Sequence, residues 1–115
     1  MSKIKIKYSI KNEYDDISSE TKANLKEELL SYKEEDKTKV IYDYSNRRLE
    51  RTNANMDMVY DFKEGLATIN VKNVGSTIKL KLESLEYSND NYSLLEKYKL
   101  EDEIIEYRIE VKEWT

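Results

Sequence analysis

The feature that most constrains the fold is an alternation of apolar and polar side chains from Met56 to Glu83. A period of two residues is typical of β-strands that bury one face and expose the other. The alternation is interrupted twice, so it predicts three consecutive strands. Their apolar positions are Met56, Met58, Tyr60 and Phe62, then Ala67, Ile69 and Val71, then Ile78, Leu80 and Leu82.

Both interruptions end in a glycine, and the chain has only these 2 glycines. The segments Lys63-Glu64-Gly65 and Asn73-Val74-Gly75 each have the form of a short hairpin loop whose last position needs a positive φ angle. Glycine adopts that angle at little cost because it has no Cβ atom. The sequence therefore predicts an antiparallel meander with glycine in both turns.

The same alternation before and after the meander predicts further strands. The inward-facing sets are Ile4, Ile6, Tyr8 and Ile10; Val40, Tyr42 and Tyr44; Tyr92, Leu94, Glu96, Tyr98 and Leu100; and Ile105, Tyr107, Ile109 and Val111. Leu49 is the one large apolar residue of a short strand from Arg47 to Thr52. Apolar residues change parity after Leu82, which predicts a β-bulge near Ser84, and a turn is expected at residues 88–91. About eight strands at a spacing of roughly ten residues are typical of an antiparallel sandwich or barrel.

The segment from Glu13 to Asp36 fits two different structures. Leu25 and Leu29 are spaced by four in a stretch of strong helix formers, which favours a helix over residues 19–35. A hairpin is the alternative. It would turn near Asn24 and pair Tyr14, Asp16 and Ser18 with Leu30, Tyr32 and Glu34. Local propensity favours neither the helix nor the hairpin.

Composition indicates one ordered domain over residues 1–115. Hydrophobic and charged residues each make up 38% of the 115 residues, but the net charge is only -4. Disorder requires low hydrophobicity together with a high net charge, and here both signs are present in quantity. The charges alternate with apolar residues, so we interpret them as the solvated faces of strands.

Several function classes are disfavoured by what the sequence lacks. The chain has 0 histidines and 0 cysteines, so it lacks the usual general base, the commonest transition-metal ligands and any redox thiol. We therefore expect a non-catalytic protein with no metal and no cofactor. The first residues lack the apolar core of a signal peptide, which favours the cytoplasm, and no segment has the length of a membrane span. The acidic balance argues against nucleic acid as a partner.

Short motifs along the chain resemble the YwiB-like family, whose members are small proteins of unknown function with a calycin-type β-barrel. The motifs are Tyr32-Lys33-Glu34, Arg51, Phe62-Lys63-Glu64-Gly65, Gly75 and Tyr98-Lys99-Leu100. The resemblance implies a single antiparallel up-and-down barrel of about eight strands. It also implies that residues 24–35 are strand rather than helix. It implies no activity, since a shared fold does not establish a shared function.

The candidate binding residues are inward-facing tyrosines and one arginine. Buried phenols need hydrogen-bond partners, so several of them together would give a cavity with polar groups on its wall. Arg51 shares its strand parity with Arg47 and Leu49, so both arginines are expected at the barrel mouth. There they would bind an anion or, as the favoured alternative, pair with Asp or Glu. The predicted ligand-binding residues are Tyr60, Phe62, Tyr98, Tyr107 and Arg51.

The function expected from the sequence is a cytoplasmic, non-catalytic module that binds a small ligand in the barrel interior or mouth. The alternative is a protein–protein interaction domain with a filled core, because a barrel of about eight strands is small enough for side chains to fill it. The acidic residues of the outer faces and turns are interpreted as solvated charges rather than as a catalytic pair. The partner is thus an unidentified small molecule or protein.

Overall fold

Ten β-strands account for most of the chain. The computed structural model describes residues 2–114, and every regular element in that range is a strand. The strands are β1 (Ser2–Lys11), β2 (Asp16–Lys26), β3 (Leu29–Lys33), β4 (Lys39–Asp43), β5 (Arg48–Thr52), β6 (Met56–Asp61), β7 (Leu66–Val71), β8 (Ser76–Asp90), β9 (Ser93–Leu100) and β10 (Glu103–Trp114). The predicted all-β class is confirmed. The count exceeds the prediction because residues 13–36 form a hairpin that adds β2 and β3.

The strands form one closed antiparallel barrel in which each strand pairs with its neighbours in sequence. β1 and β10 close the barrel, with pairing from Ile4–Trp114 to Lys11–Glu106. Of the sandwich and the barrel, the chain thus adopts the up-and-down barrel. Successive turns lie at opposite ends of the barrel, and this arrangement separates the candidate site residues into two groups.

The β2–β3 hairpin resolves the segment that fitted two structures. It is strand, as predicted, but the predicted turn near Asn24 and the predicted pairing are wrong. The turn is at Glu27 and Glu28, which have φ angles of 56° and 85°. Leu25 pairs with Leu30, so both leucines face the core, and a two-residue turn is the connection that allows this register. Residues 16–25 of β2 pair with β1 instead.

Within residues 2–114, aromatic side chains make up 8 of the 21 buried hydrophobic residues that fill the barrel interior. Of the tyrosines predicted to face inward, Tyr92 is only partly buried and the others are buried: Tyr8, Tyr42, Tyr44, Tyr60, Tyr98 and Tyr107. Their rings contact one another and further inward rings. The ring centroids of Tyr8 and Tyr32 are 5.1 Å apart, and those of Tyr42 and Tyr107 are 6.2 Å apart. Such offset and tilted contacts add to the stabilisation from burial alone.

Strand β8 changes its partner along its length. It pairs with β7 up to Lys81 and with β9 from Leu82 onward. The predicted bulge is present, between Ser84 and Glu86. Beyond it, Tyr87 lies opposite Glu96 yet remains 40% exposed, because β7 does not extend along this part of β8. The turn expected at residues 88–91 is displaced: β8 continues to Asp90, and the turn is at residues 91–92.

The two glycine turns provide a test of the register. Gly65 and Gly75 have φ angles of 74° and 63°. A Cβ atom at Gly65 would lie 3.0 Å from the carbonyl oxygen of Leu82, whereas at Gly75 it would meet nothing within 4 Å. We expect Gly75→Val to lower the free energy of unfolding by about 1–2 kcal/mol through backbone strain alone. Gly65→Val should lower it by more, because the added side chain also meets the backbone of β8.

Urea denaturation of both variants measures this difference. Gly75→Asn is the control, because asparagine tolerates the left-handed conformation better than valine and should lose less stability. Equal losses for Gly65→Val and Gly75→Val would contradict the close approach at Leu82.

Candidate functional site

The barrel has two ends, and each holds an ion pair between an arginine and a glutamate. The turns at residues 12–15, 34–38, 53–55, 72–75 and 101–102 lie at one end, which we call the Arg51 end. The turns at residues 27–28, 44–47, 62–65 and 91–92 lie at the other, which we call the Arg47 end. Arg51 and Arg47 were both expected near a barrel mouth, and they lie at opposite mouths.

At the Arg51 end, Arg51 binds the carboxylate of Glu34 in a two-pronged contact. Its Nε donates to Oε2 at 3.1 Å and its Nη2 donates to Oε1 at 2.5 Å. Burial alone would lower the pKa of Arg51, but the hydrogen bonds and charge of Glu34 raise it above its ordinary value. The favoured prediction of an ion pair is therefore confirmed. An anionic ligand would therefore have to compete with Glu34 for this guanidinium.

Tyr60 and Tyr98 lie beside this ion pair. Their ring centroids are 6.0 Å apart. Burial raises the pKa of Tyr60, the negative charges of Glu34 and Glu103 raise it further, and the charge of Arg51 opposes the shift. The hydroxyl of Tyr60 donates to the sulfur of Met58 at 3.5 Å. Thioether sulfur is a weak acceptor, and the guanidinium of Arg51 is the second hydrogen-bonding partner of this phenol.

Phe62 and Tyr107 occupy different parts of the interior. Phe62 packs edge-on against Tyr98, with centroids 5.1 Å apart, but it lies toward the Arg47 end, 6.0 Å from the guanidinium carbon of Arg47. Tyr107 is fully buried, and its hydroxyl is 2.7 Å from that of Tyr32. Burial raises the pKa of Tyr107 well above its ordinary value. The structure thus groups Arg51, Tyr60 and Tyr98 at one end and leaves Tyr107 and Phe62 within the packed core.

At the Arg47 end, the carboxylate of Glu96 is completely buried and fully paired. Arg47 Nη2 donates to Oε1 at 2.7 Å and Arg47 Nε donates to Oε2 at 3.0 Å. The hydroxyl of Tyr42 donates to Oε2 at 2.7 Å. The guanidinium also donates to Ser84 Oγ at 3.0 Å and lies 3.9 Å from the ring centroid of Tyr87. Arg47 therefore closes the opening between the β4–β5 turn and β8.

The two glutamates are residues that sequence reasoning did not select. Glu96 had a signal, because it lies on the inward parity of β9 between Leu94 and Tyr98, where a charged side chain needs a partner. Glu34 had a weaker signal: it shares the parity of Leu30 and Tyr32, but it follows the end of β3. With 24 acidic residues in the chain, only the closed barrel shows which two pair with the arginines.

The Arg51 end also has an apolar rim. Inward-facing side chains there are only partly buried, although they pack against the core: Ile10, Met56, Ile69, Leu80, Leu100 and Ile105. A recess of about 380 Å³ opens beside Leu80 and Leu100, with Tyr14 and several carboxylates on its walls. The carboxylates are those of Glu13, Glu101, Asp102 and Glu103. Glu103 is also close enough to Tyr60 and Tyr98 to affect both phenols.

Comparison of the chain with family models, with curated proteins and with solved structures finds no match. The resemblance to the YwiB-like family thus stays a prediction. Residues 2–114 contain no group of three or more acidic side chains placed to hold a metal ion. A membrane-crossing helix is absent from this described part of the chain.

The buried ion pair at the Arg47 end gives a stability prediction. Arg47→Met leaves the carboxylate of Glu96 buried without a cation, so we expect the free energy of unfolding to fall by about 3–5 kcal/mol. The double variant Arg47→Met/Glu96→Leu should be more stable than Arg47→Met, because it removes the unpaired charge as well.

The neighbouring residue Arg48 is a matched control. Its contact with Asp61 is 3.6 Å long and its side chain is 43% exposed, so Arg48→Met should lower the free energy of unfolding by less than about 1 kcal/mol. Urea denaturation of the three variants gives the comparison. Similar losses for Arg47→Met and Arg48→Met would contradict the structural role of the buried pair.

The buried phenols predict a loss of stability in alkali. Burial raises the pKa of Tyr32, Tyr98 and Tyr107 in the folded state. A phenol whose folded pKa is raised stabilises the fold fully below its unfolded pKa, and this contribution is lost as the pH rises above about 10. Tyrosinate absorbance of the buried set should therefore appear together with the loss of circular dichroism. Titration of these phenols while the dichroism stays native would contradict the packed interior.

Proposed function

We propose that this chain is a non-catalytic binding module whose site is the barrel mouth at the Arg51 end. The observation that carries the proposal is the apolar rim, where inward-facing side chains remain partly exposed and two of them, Leu80 and Leu100, line a recess of about 380 Å³. Pockets for small molecules commonly have volumes of about 300–1,000 Å³, with mostly apolar walls and a few polar groups. The Arg51 end combines these properties, with Tyr60 as its adaptable polar group.

The charges at this end select the class of ligand. Four carboxylates line the recess, and no lysine or arginine is among the described residues on its walls. Arg51 is already bound by Glu34. An anion would thus meet negative charge at the rim and an occupied guanidinium below it. We therefore propose a small amphipathic ligand that is neutral or positively charged, with its apolar part against Leu80 and Leu100.

The interior itself is a poorer location for the ligand. The rings of Tyr8, Tyr42 and Tyr107 are fully buried and packed against other rings. The buried side-chain polar atoms of residues 2–114 all have hydrogen-bond partners. A ligand in the interior would have to break these contacts, whereas one at the mouth covers apolar surface that is already exposed. A cytoplasmic, non-catalytic role remains part of the proposal, as expected from the sequence.

Binding of matched amphiphiles tests the site. Decylamine, decanol and decanoate share one apolar chain and differ in charge, so the amine should stabilise the protein most and the carboxylate least. Tyr60→Phe keeps the ring and removes the hydroxyl, which should weaken binding of the best ligand by about 0.5–1.5 kcal/mol. Thermal-shift assays and isothermal titration calorimetry provide the measurements.

Tyr44→Phe is the control variant, because Tyr44 lies at the Arg47 end, where its hydroxyl donates to the carbonyl oxygen of Tyr92 at 2.8 Å. This change should leave ligand affinity unaltered. Stronger binding of decanoate than of decylamine would reject the proposed ligand class. Binding that is equally strong in wild type and Tyr60→Phe would place the site elsewhere.

A further inference from the structure

The junction between β2 and β3 has fewer paired residues than any other described ladder of the barrel. β2 pairs with β1 over residues 16–25 but with β3 only at Asn24, Leu25 and Lys26. On the β3 side, residues 16–23 form no backbone hydrogen bond with any part of the chain between residues 2 and 114. An unpaired strand edge presents a row of N–H and C=O groups that can pair with another extended chain.

Side chains, rather than a backbone ladder, span this junction beyond its three pairs. Ser19 Oγ donates to Glu35 Oε1 at 2.6 Å. The N–H of Glu35 donates to the hydroxyl of Tyr8 at 3.1 Å. Between Ser19 and Asn24, the backbone N–H and C=O groups on the β3 side of β2 are therefore not paired with another strand in the described part of the chain. Another extended chain can approach them without breaking a strand ladder.

A groove of about 440 Å³ runs along this junction, and we call it the seam groove. Three lysines line it, Lys22, Lys33 and Lys39, and no acidic side chain is among the described residues of its walls. None of these lysines forms an ion pair within residues 2–114. The groove also includes Ile41, which is 39% exposed. It is a basic site with apolar surface on a chain of net charge -4.

The strand register places each of the three groove lysines directly opposite another lysine. Lys22 lies directly opposite Lys5, and Lys33 directly opposite Lys39. Like charges in directly opposed positions destabilise a sheet. At the other positions of the described ladders, charged residues that face each other are of opposite sign, as at Lys7–Glu20 and Glu83–Lys99. The two like-charge pairs thus lie in the ladders on either side of this junction, β1–β2 and β3–β4, and an acidic partner in the groove would relieve their repulsion.

We propose that the seam groove binds an extended acidic segment of a partner protein, which adds to the free edge of β2 as an extra strand. In this mode, main-chain hydrogen bonds supply affinity and alternate side chains supply specificity. Carboxylates on one face of the segment meet Lys22, Lys33 and Lys39, and an apolar residue of the same face covers Ile41. A second copy of this chain fits less well, because edge-to-edge pairing would bring two sets of these lysines together. The proposal is independent of the ligand site at the Arg51 end.

The lysines are tested with a fluorescein-labelled extended peptide that carries three glutamates and one valine on one face and threonines at the alternate positions, measured by fluorescence anisotropy at low salt. The triple variant Lys22→Gln/Lys33→Gln/Lys39→Gln should weaken binding by about tenfold or more. The control Lys79→Gln/Lys81→Gln/Lys99→Gln removes the same charge from another part of the barrel and should change the affinity by less than about twofold. Equal affinities for the two triple variants would overturn the proposal.

The folded stability of the same variants separates a binding role from a structural one. Because it removes the repulsion at Lys5–Lys22 and Lys33–Lys39, the seam variant should have a melting temperature equal to or above that of the wild type. Weak peptide binding accompanied by a lowered melting temperature would indicate that the lysines support the fold instead, and would overturn the proposal.

Strand addition is tested on the backbone of both molecules. Peptides N-methylated at every second residue block one edge of the added strand, so one of the two possible methylation registers should abolish binding and the other should retain it. Hydrogen exchange of alternate amides within residues 16–23 should slow by about tenfold or more on peptide binding. Equal binding of both methylated peptides would overturn strand addition. Slowed exchange without peptide that increases with protein concentration would overturn it in favour of a second copy.

Discussion

A single buried carboxylate, that of Glu96, imposes conditions on the strands around it. An ionised group in an apolar interior is stable only when it is both paired and hydrogen-bonded. Arg47 and Tyr42 provide that environment from β4 and the turn that follows it. The same guanidinium contacts Ser84 and Tyr87 on β8. Two stretches of the chain that are distant in sequence, residues 42–47 and 84–96, must therefore come together before the charge on β9 can be buried.

This requirement explains why the two ends of the barrel differ. At the Arg47 end, the guanidinium fills the opening left where β8 extends beyond β7, so that end is closed by a charged group bound to the buried carboxylate of Glu96 and to the exposed side chains of Ser84 and Tyr87. At the Arg51 end, Arg51 and Glu34 satisfy each other below the rim, and the apolar side chains above them have no covering element. The same type of ion pair thus closes the Arg47 end of the barrel and lies beneath the open rim at the Arg51 end.

Much of this fold can be predicted from the alternation of apolar and polar side chains, and there is a physical reason why these parts are predictable. Inward parity identified Tyr42, Tyr60 and Tyr107 as core residues because a strand face is decided by its own sequence. The two glycine turns followed from the φ angle that a short hairpin requires. By contrast, the pairing of Arg51 with Glu34 was beyond sequence reasoning, since it depends on how the closed barrel brings β5 close to the end of β3.

The β2–β3 turn has a consequence for how the barrel opens and closes. Glu27 and Glu28 both hold positive φ angles, a conformation that Asn-Gly pairs adopt with less strain. Each non-glycine residue in this left-handed conformation costs about 1–2 kcal/mol. Only three ladder pairs between β2 and β3 offset that strain. Native-state fluctuations of the lowest free energy should therefore begin at this hairpin. The barrel should thus open along the line between β2 and β3 before its other junctions separate.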